Sequence, residues 1–197
     1  MRNYSRPMLA ALALTLGSAS AAAAQGMAKG DMAMVQGTTM VGGQAMYRSK
    51  DIVDNSVNSA DHTTLVAAVK AAGLVETLKG KGPFTVFAPT NAAFAALPDG
   101  TVPTLLKPEN KDQLTRVLTY HVVEGDYDAS ALMKAIKSGH GQATLKTVNG
   151  ESLTFLMNGA RNIVVRDAKG DVANISTYDV RQSNGVIQVI DKVLLPA

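Results

Sequence analysis

The sequence predicts an α+β domain in which helices come first and an antiparallel sheet follows, and three observations lead there. Apolar residues recur at helical spacing up to about residue 136, and from residue 145 onward they alternate with polar ones between turn signals. That order of elements is the α+β pattern. The third observation is that the chain has 197 residues and no cysteine, so one core must be held by packing and hydrogen bonds alone.

The first stretch reads as an export signal. Arg2 and Arg6 form a positive start, Met8 to Leu16 a short apolar run, and Ala22 and Ala24 an A-x-A cleavage pattern before Gln25. A membrane anchor competes with this reading, but a span needs about 20 apolar residues, and Gly17, Ser18 and Ser20 interrupt this one. Cleavage after residue 24 leaves 173 residues with 17 basic and 16 acidic side chains. So balanced a chain gives no evidence for nucleic-acid binding, which would call for a basic stripe on one face, and no nucleic-acid partner is expected. After cleavage no membrane span remains, and the absence of cysteine excludes a lipoprotein anchor, thiol catalysis and Cys-zinc sites.

Residues 25–46 are rich in Gly, Ala, Thr and Met without a sustained period, and read as a flexible leader. Met32 and Met34 form an M-x-M pair whose soft thioethers suit Cu(I). A biased linker is the plainer account of the same residues.

From Tyr47 the pattern is that of a packed domain. Asp61 can cap a helix whose Leu65, Ala68, Val69 and Ala72 share a face, with Gly73 at its C-terminal end. A short helix over Leu74 to Lys79 stops at Gly80. Pro83 and Pro89 then bracket a short apolar run, Phe84 to Ala88, that reads as a strand buried on both faces. Thr90 caps a helix carrying Ala93, Phe94 and Leu97, and Pro98 ends it. Pro108 and Glu109 open another helix, where Leu114, Val117, Leu118 and His121 recur at helical spacing and Asp112 and Arg116 are placed to pair on the outer face. A strand over Tyr120 to Val123 and a helix over Ala129 to Ile136 complete this half.

The rest reads as a meander. Leu145 and Thr147 alternate before Asn149-Gly150, and Leu153, Phe155 and Met157 after it, a strong hairpin signal. Turns at Asn158-Gly159 and at Asp167 to Asp171 separate strands near Arg161 to Arg166 and Val172 to Tyr178, and a last strand runs from Gly185 to Asp191.

Three segments in order carry a resemblance to a known family: Phe84-Thr-Val-Phe-Ala-Pro-Thr-Asn-Ala-Ala-Phe94, Leu118-Thr-Tyr-His-Val-Val123 and Asn184-Gly-Val-Ile-Gln-Val-Ile-Asp191. They resemble the first box, the Tyr-His motif and the second box of the fasciclin-like domain family, and the match extends over about residues 47–197. The resemblance implies a helical layer against a β-wedge, secretion or surface attachment, and roles in adhesion and matrix contact without a generally recognised catalytic site. Phe84, Val86, Phe87, Pro89, Thr90 and Phe94 in the first box, and Asn184, Gly185, Ile187 and Asp191 in the second, are the motif residues with a structural role.

Tyr120 and His121 match a motif linked to integrin-type adhesion in animal members, but His121 also lies on the stripe begun by Leu114, where a core histidine bonded to a neighbouring segment is the alternative. Asp179 and Val180 stand where some animal domains carry an adhesive Asp-Ile pair, and Asp179 can equally cap the turn into Asn184. The tripeptides Lys29-Gly-Asp31 and Lys169-Gly-Asp171 spell an integrin-ligand motif, with turn chemistry the default for the second. Where the family usually has histidine, this chain has Gln188, which weakens any histidine pair across the boxes.

His62, His121 and His140 fall in no H-E-x-x-H pattern, and neither a G-x-S-x-G elbow nor a phosphate loop is present. The sequence therefore points to an exported, non-catalytic module, periplasmic, secreted or cell-surface associated, with no cofactor and with a surface or matrix protein or polysaccharide as partner. The alternatives are copper binding by the Met-rich leader and a hydrolase. A polar pocket gathering His121 with Asp126 or Asp179 would favour the latter.

Overall fold

The computed structural model describes residues 38–197, which belong to one compact unit. The export signal, Met32, Met34 and Lys29-Gly-Asp31 lie outside the described residues. The expected boundary at Tyr47 is corrected: strands β1 (Thr39–Val41) and β2 (Gln44–Met46) already form a hairpin, with Val41 and Met46 buried in the core. Gly42 and Gly43 both have positive φ, as a tight two-residue hairpin turn requires.

The helical layer follows. Helix α1 (Ile52–Ser56), which the sequence did not suggest, is capped by Asp51 accepting from the Asp54 amide. A 3-10 turn over Ala60–His62 leads into α2 (Thr63–Ala72), which buries Leu65, Ala68, Val69 and Ala72 and ends at left-handed Gly73. Asp61 does not cap it. The Asn91 side chain accepts from the Thr64 amide at 3.0 Å instead, so the cap comes from a helix 27 residues away. After α3 (Val75–Lys79) and strand β3 (Phe84–Pro89), Thr90 caps α4 (Asn91–Ala95). A second unanticipated helix, α5 (Thr101–Leu105), precedes a 3-10 turn at Pro108–Asn110 and helix α6 (Lys111–Tyr120). Tyr120 is thus helical, and strand β4 begins only at Val122 (Val122–Glu124). Arg116 pairs not with Asp112 but with Glu151 across the fold, at 2.6 Å. Helix α7 (Ala129–Ser138) is capped by Asp128.

Strands β5 (Gln142–Lys146), β6 (Ser152–Asn158), β7 (Asn162–Arg166) and β8 (Val172–Gln182) form the expected meander, and β9 (Gly185–Ile190) returns along β8. The seven-stranded sheet has the order β4-β3-β9-β8-β7-β6-β5. It is mixed, correcting the antiparallel expectation: β3 and β9 run parallel, with Phe84 opposite Gly185 and Pro89 opposite Ile190. The distant ends of the sheet meet, because Val123 bridges Thr147 and the Val148 amide donates to the Val122 carbonyl.

Alternation along β3 divides the interior. Val86 and Ala88 join the core under the helices with Ile187 and Val189, whereas Phe87 faces a second core inside the curled sheet with Phe155, Ile163, Val165 and Ile190. The strand is buried on both faces, as its apolar run between prolines indicated. The Phe87 side chain is fully buried, its ring centroid 5.2 Å from that of Phe155. Phe87→Ala is expected to cost about 3–5 kcal/mol out of a total of about 5–15 kcal/mol. Chemical denaturation of both chains measures this, and an unchanged midpoint contradicts the central placement of the ring.

Candidate functional site

The Tyr-His motif sits where α6 runs out into β4. The last turn of a helix leaves carbonyls without partners, and His121 takes one of them: its Nδ1 lies 2.8 Å from the Val117 carbonyl. The Leu194 amide donates to Nε2 at 2.9 Å, so Nε2 is the acceptor, Nδ1 carries the proton and the ring is neutral. Burial pushes the imidazole down to about 4. Tyr120 points into the second core, where its hydroxyl donates to the Ser152 carbonyl and accepts from the Ala168 amide. Burial raises this phenol to about 12. Both residues are buried, at 0% and 2% exposure, so the folded domain presents neither to a partner, and the core account of His121 describes its surroundings.

The Asp179-Val180 pair is also turned inward. Val180 is buried, and Asp179 sits at φ 57° within the irregularity of the β8–β9 register between Thr177 and Val180. Its carboxylate accepts from the Ala129 amide at the start of α7 and from Gln188 Nε2, at 2.8 and 2.9 Å. It does not cap the turn into Asn184. The Asp179 amide in turn donates to Gln188 Oε1, and Gln188 Nε2 also reaches the Tyr127 carbonyl. Gln188 is fully buried, and its amide supplies both donor and acceptor in one neutral group.

The second box binds segments together. Asn184 accepts from the Ile52 amide at the start of α1 and donates to the Leu78 and Gly80 carbonyls at the end of α3. A side chain on Gly185 has no room, since its Cβ would fall within contact distance of the Phe84 carbonyl oxygen. Asp191 closes the far end by accepting from both the backbone and the side-chain amide of Asn174. Asp167, in the β7–β8 turn, accepts from the Lys169, Asp171 and Leu195 amides, which leaves Lys169-Gly-Asp171 at an exposed hairpin tip.

Around Asn184 the surface opens into a polar groove of about 590 Å³. Its cations are Lys79, Lys81 and Arg181 and its carboxylates Asp51 and Asp126, with Ser183 and Asn184 between them. Lys79 pairs with Asp51 at 3.2 Å and with Asp54 at 2.6 Å, and Arg181 bridges Asp126 and Asp128 at 2.8 and 2.5 Å. Apart from Asp126, sequence reasoning did not single out these residues, because each ion pair joins positions 25 or more residues apart. The groove takes in Asp126 but neither His121 nor Asp179. Among the described residues no group of three or more His, Cys, Asp or Glu side chains is arranged to hold a metal, and no helix is long and apolar enough to cross a membrane.

Two measurements check the Tyr-His geometry. Between pH 6.5 and about 4 the unfolded chain binds a proton at His121 that the folded chain refuses, so stability is complete above pH 6.5 and falls as pH drops toward 4. The loss from this group is expected to be about 3 kcal/mol at most. His62, also pushed down by burial, acts in the same direction. An NMR titration should find His121 still neutral at pH 5.5, and ordinary titration near 6.5 contradicts the buried ring. Tyr120→Phe should lower unfolding free energy by about 1–3 kcal/mol, since it strands a buried amide and carbonyl. A denaturation midpoint equal to that of the parent contradicts the assigned bonds.

Comparison with known proteins identifies relatives of this chain. The fasciclin domain profile matches residues 60–196. Protein sll1483 of Synechocystis is 45% identical over 170 residues, covering 86% of this chain and 87% of its own. The cell surface glycolipoprotein MPB83 of Mycobacterium bovis is 33% identical over 166 residues, covering 82% of this chain and 67% of its own. Among solved structures, a FAS1 domain pair from the insect cell adhesion molecule fasciclin I superposes with a TM-score of 0.54 at 20% identity, over 66% of this chain and 43% of that one. With the boxes in order and the family profile and relatives matching most of its length, the chain belongs to the fasciclin domain family.

Proposed function

We propose that the protein is an exported, non-catalytic binding module that attaches to a surface or matrix component, a protein or a polysaccharide, through the polar groove beside Asn184. The observation that carries this reading is the division of labour among polar side chains. Tyr120, His121, Asp179 and Asn184 spend their hydrogen-bonding capacity inside the fold, whereas Lys81 and Ser183 stand exposed in the groove. The groove sets paired charges beside amide and hydroxyl groups, a surface suited to a neutral polar partner such as a glycan or a polar protein rim. Its carboxylates are engaged with Lys79 and Arg181, and Ser183 has no histidine beside it among the lining residues, so no nucleophile–base pair is assembled.

Export rests on the sequence pattern of residues 1–24, and the relatives support a location outside the cytoplasm, since one is named a cell surface glycolipoprotein and another a cell adhesion molecule. The groove assignment is tested by sedimenting the full chain with cell-envelope and extracellular-matrix fractions. Lys81→Glu combined with Ser183→Trp, both at exposed positions, should weaken co-sedimentation at least tenfold with melting unchanged. Lys169→Glu at the hairpin tip should leave it intact. Binding retained by the folded double variant contradicts the groove as the contact surface.

A further inference from the structure

A second opening, distinct from the polar groove, lies between the helical layer and the β3–β4 edge of the sheet. It is a cavity of about 210 Å³ walled by Val53, Leu65, Val69, Leu78, Val86 and Leu118. Protein interiors are ordinarily packed with few voids larger than a water molecule, and an unfilled cavity costs stability in proportion to its volume. A void of this size in the helical core is therefore a feature that a ligand can offset.

The lining defines what would fit. The Ser56 hydroxyl donates to the Ile52 carbonyl and the Thr119 hydroxyl to the Thr115 carbonyl, each at 2.7 Å. Both nitrogens of His121, which also lines the cavity, are occupied by Val117 and Leu194. Ser56 and Thr119 thus keep only acceptor lone pairs and neither imidazole nitrogen of His121 is free, so these three groups offer a polar ligand no hydrogen-bond donor. The two charged residues of the lining, Lys70 and Glu124, are exposed and opposite in sign, so the cavity carries no net charge to attract an ion.

We propose that this cavity binds an uncharged hydrocarbon group, one aliphatic chain or one unfused ring, whose polar end stays in water beside Lys70 and Glu124. The size sets both limits. An apolar cavity of about 150 Å³ already admits benzene, while pockets for drug-sized molecules begin at about 300 Å³. Filling the space removes apolar surface from water and restores the contacts that its walls lack.

Octanol serves as the probe with the full chain. Melting temperature should rise saturably with octanol concentration, because a ligand that binds only the folded state stabilises it. Methyl NMR shifts in the parent chain should concentrate at Val69, Val86 and Leu118. Val66→Trp, at a half-buried position of the lining, should raise the half-saturating concentration at least tenfold. A flat melting temperature, shifts scattered away from the cavity walls, or an unchanged response in a folded Val66→Trp chain each overturn the proposal. The methyl map decides the matter even where that variant does not fold.

Discussion

The parallel pairing of β3 with β9 carries the fold, because both strands are buried on both faces and lie between two cores. Water is excluded above and below, so each backbone amide and carbonyl of the pair needs its ladder partner. The close approach of the strands demands the bare backbone of Gly185 beside Phe84. With that pair in place, Val86 and Ile187 organise the helices on one side, and Phe87 and Ile190 organise the curled meander on the other. The long crossover between the strands contains α4 to α7, β4 and the whole β5–β8 meander, so pairing β3 with β9 brings the ends of this long segment together.

Buried polar side chains then tie the two halves together at their seams. His121 ends α6 and holds the C-terminal segment at Leu194, Tyr120 joins the β5–β6 hairpin to the β7–β8 turn, and Asn184 fastens α1 and α3 to the start of β9. Asp179 and Gln188 anchor the start of α7 to the sheet. Each satisfies backbone groups that a helix end, a turn or a bulge leaves unpaired, the condition under which a polar group is tolerated in a core. That two of the recognisable boxes are dense in such residues follows from this role.

On the function proposed above, recognition falls to what the scaffold leaves open. The groove beside Asn184 is polar, charge-paired and accessible. The cavity below α2 and α3 is apolar and lined by hydroxyls and ring nitrogens already committed to the backbone. The two differ in chemistry, and the partners proposed for them differ accordingly, a hydrated polar surface for the groove and a small hydrocarbon group for the cavity. Both borrow walls from motif residues, Asn184 and Gly185 in one case and Phe84, Val86 and His121 in the other. The scaffold therefore positions them without itself setting what the exposed rim recognises.

Much of the chain's architecture was readable from local patterns. The helices around Leu65, Leu114 and Leu132, the doubly buried strand at Phe84, the caps at Gly73 and Thr90 and the turns of the meander all follow from side-chain period, proline and glycine placement and turn chemistry, which act within a few residues. The Gly42-Gly43 hairpin was legible on the same grounds but was obscured by the poor composition around it, and α1 and α5 are too short to show a period. Tertiary structure alone decided the parallel β3–β9 pairing, the exchange of Asp112 for Glu151 as the partner of Arg116, the cap that Asn91 lends to α2, the inward turn of Asp179, and the groove and cavity. Each of these joins residues distant in sequence, where the partner is chosen by which surfaces packing brings together and not by anything encoded in the neighbouring residues.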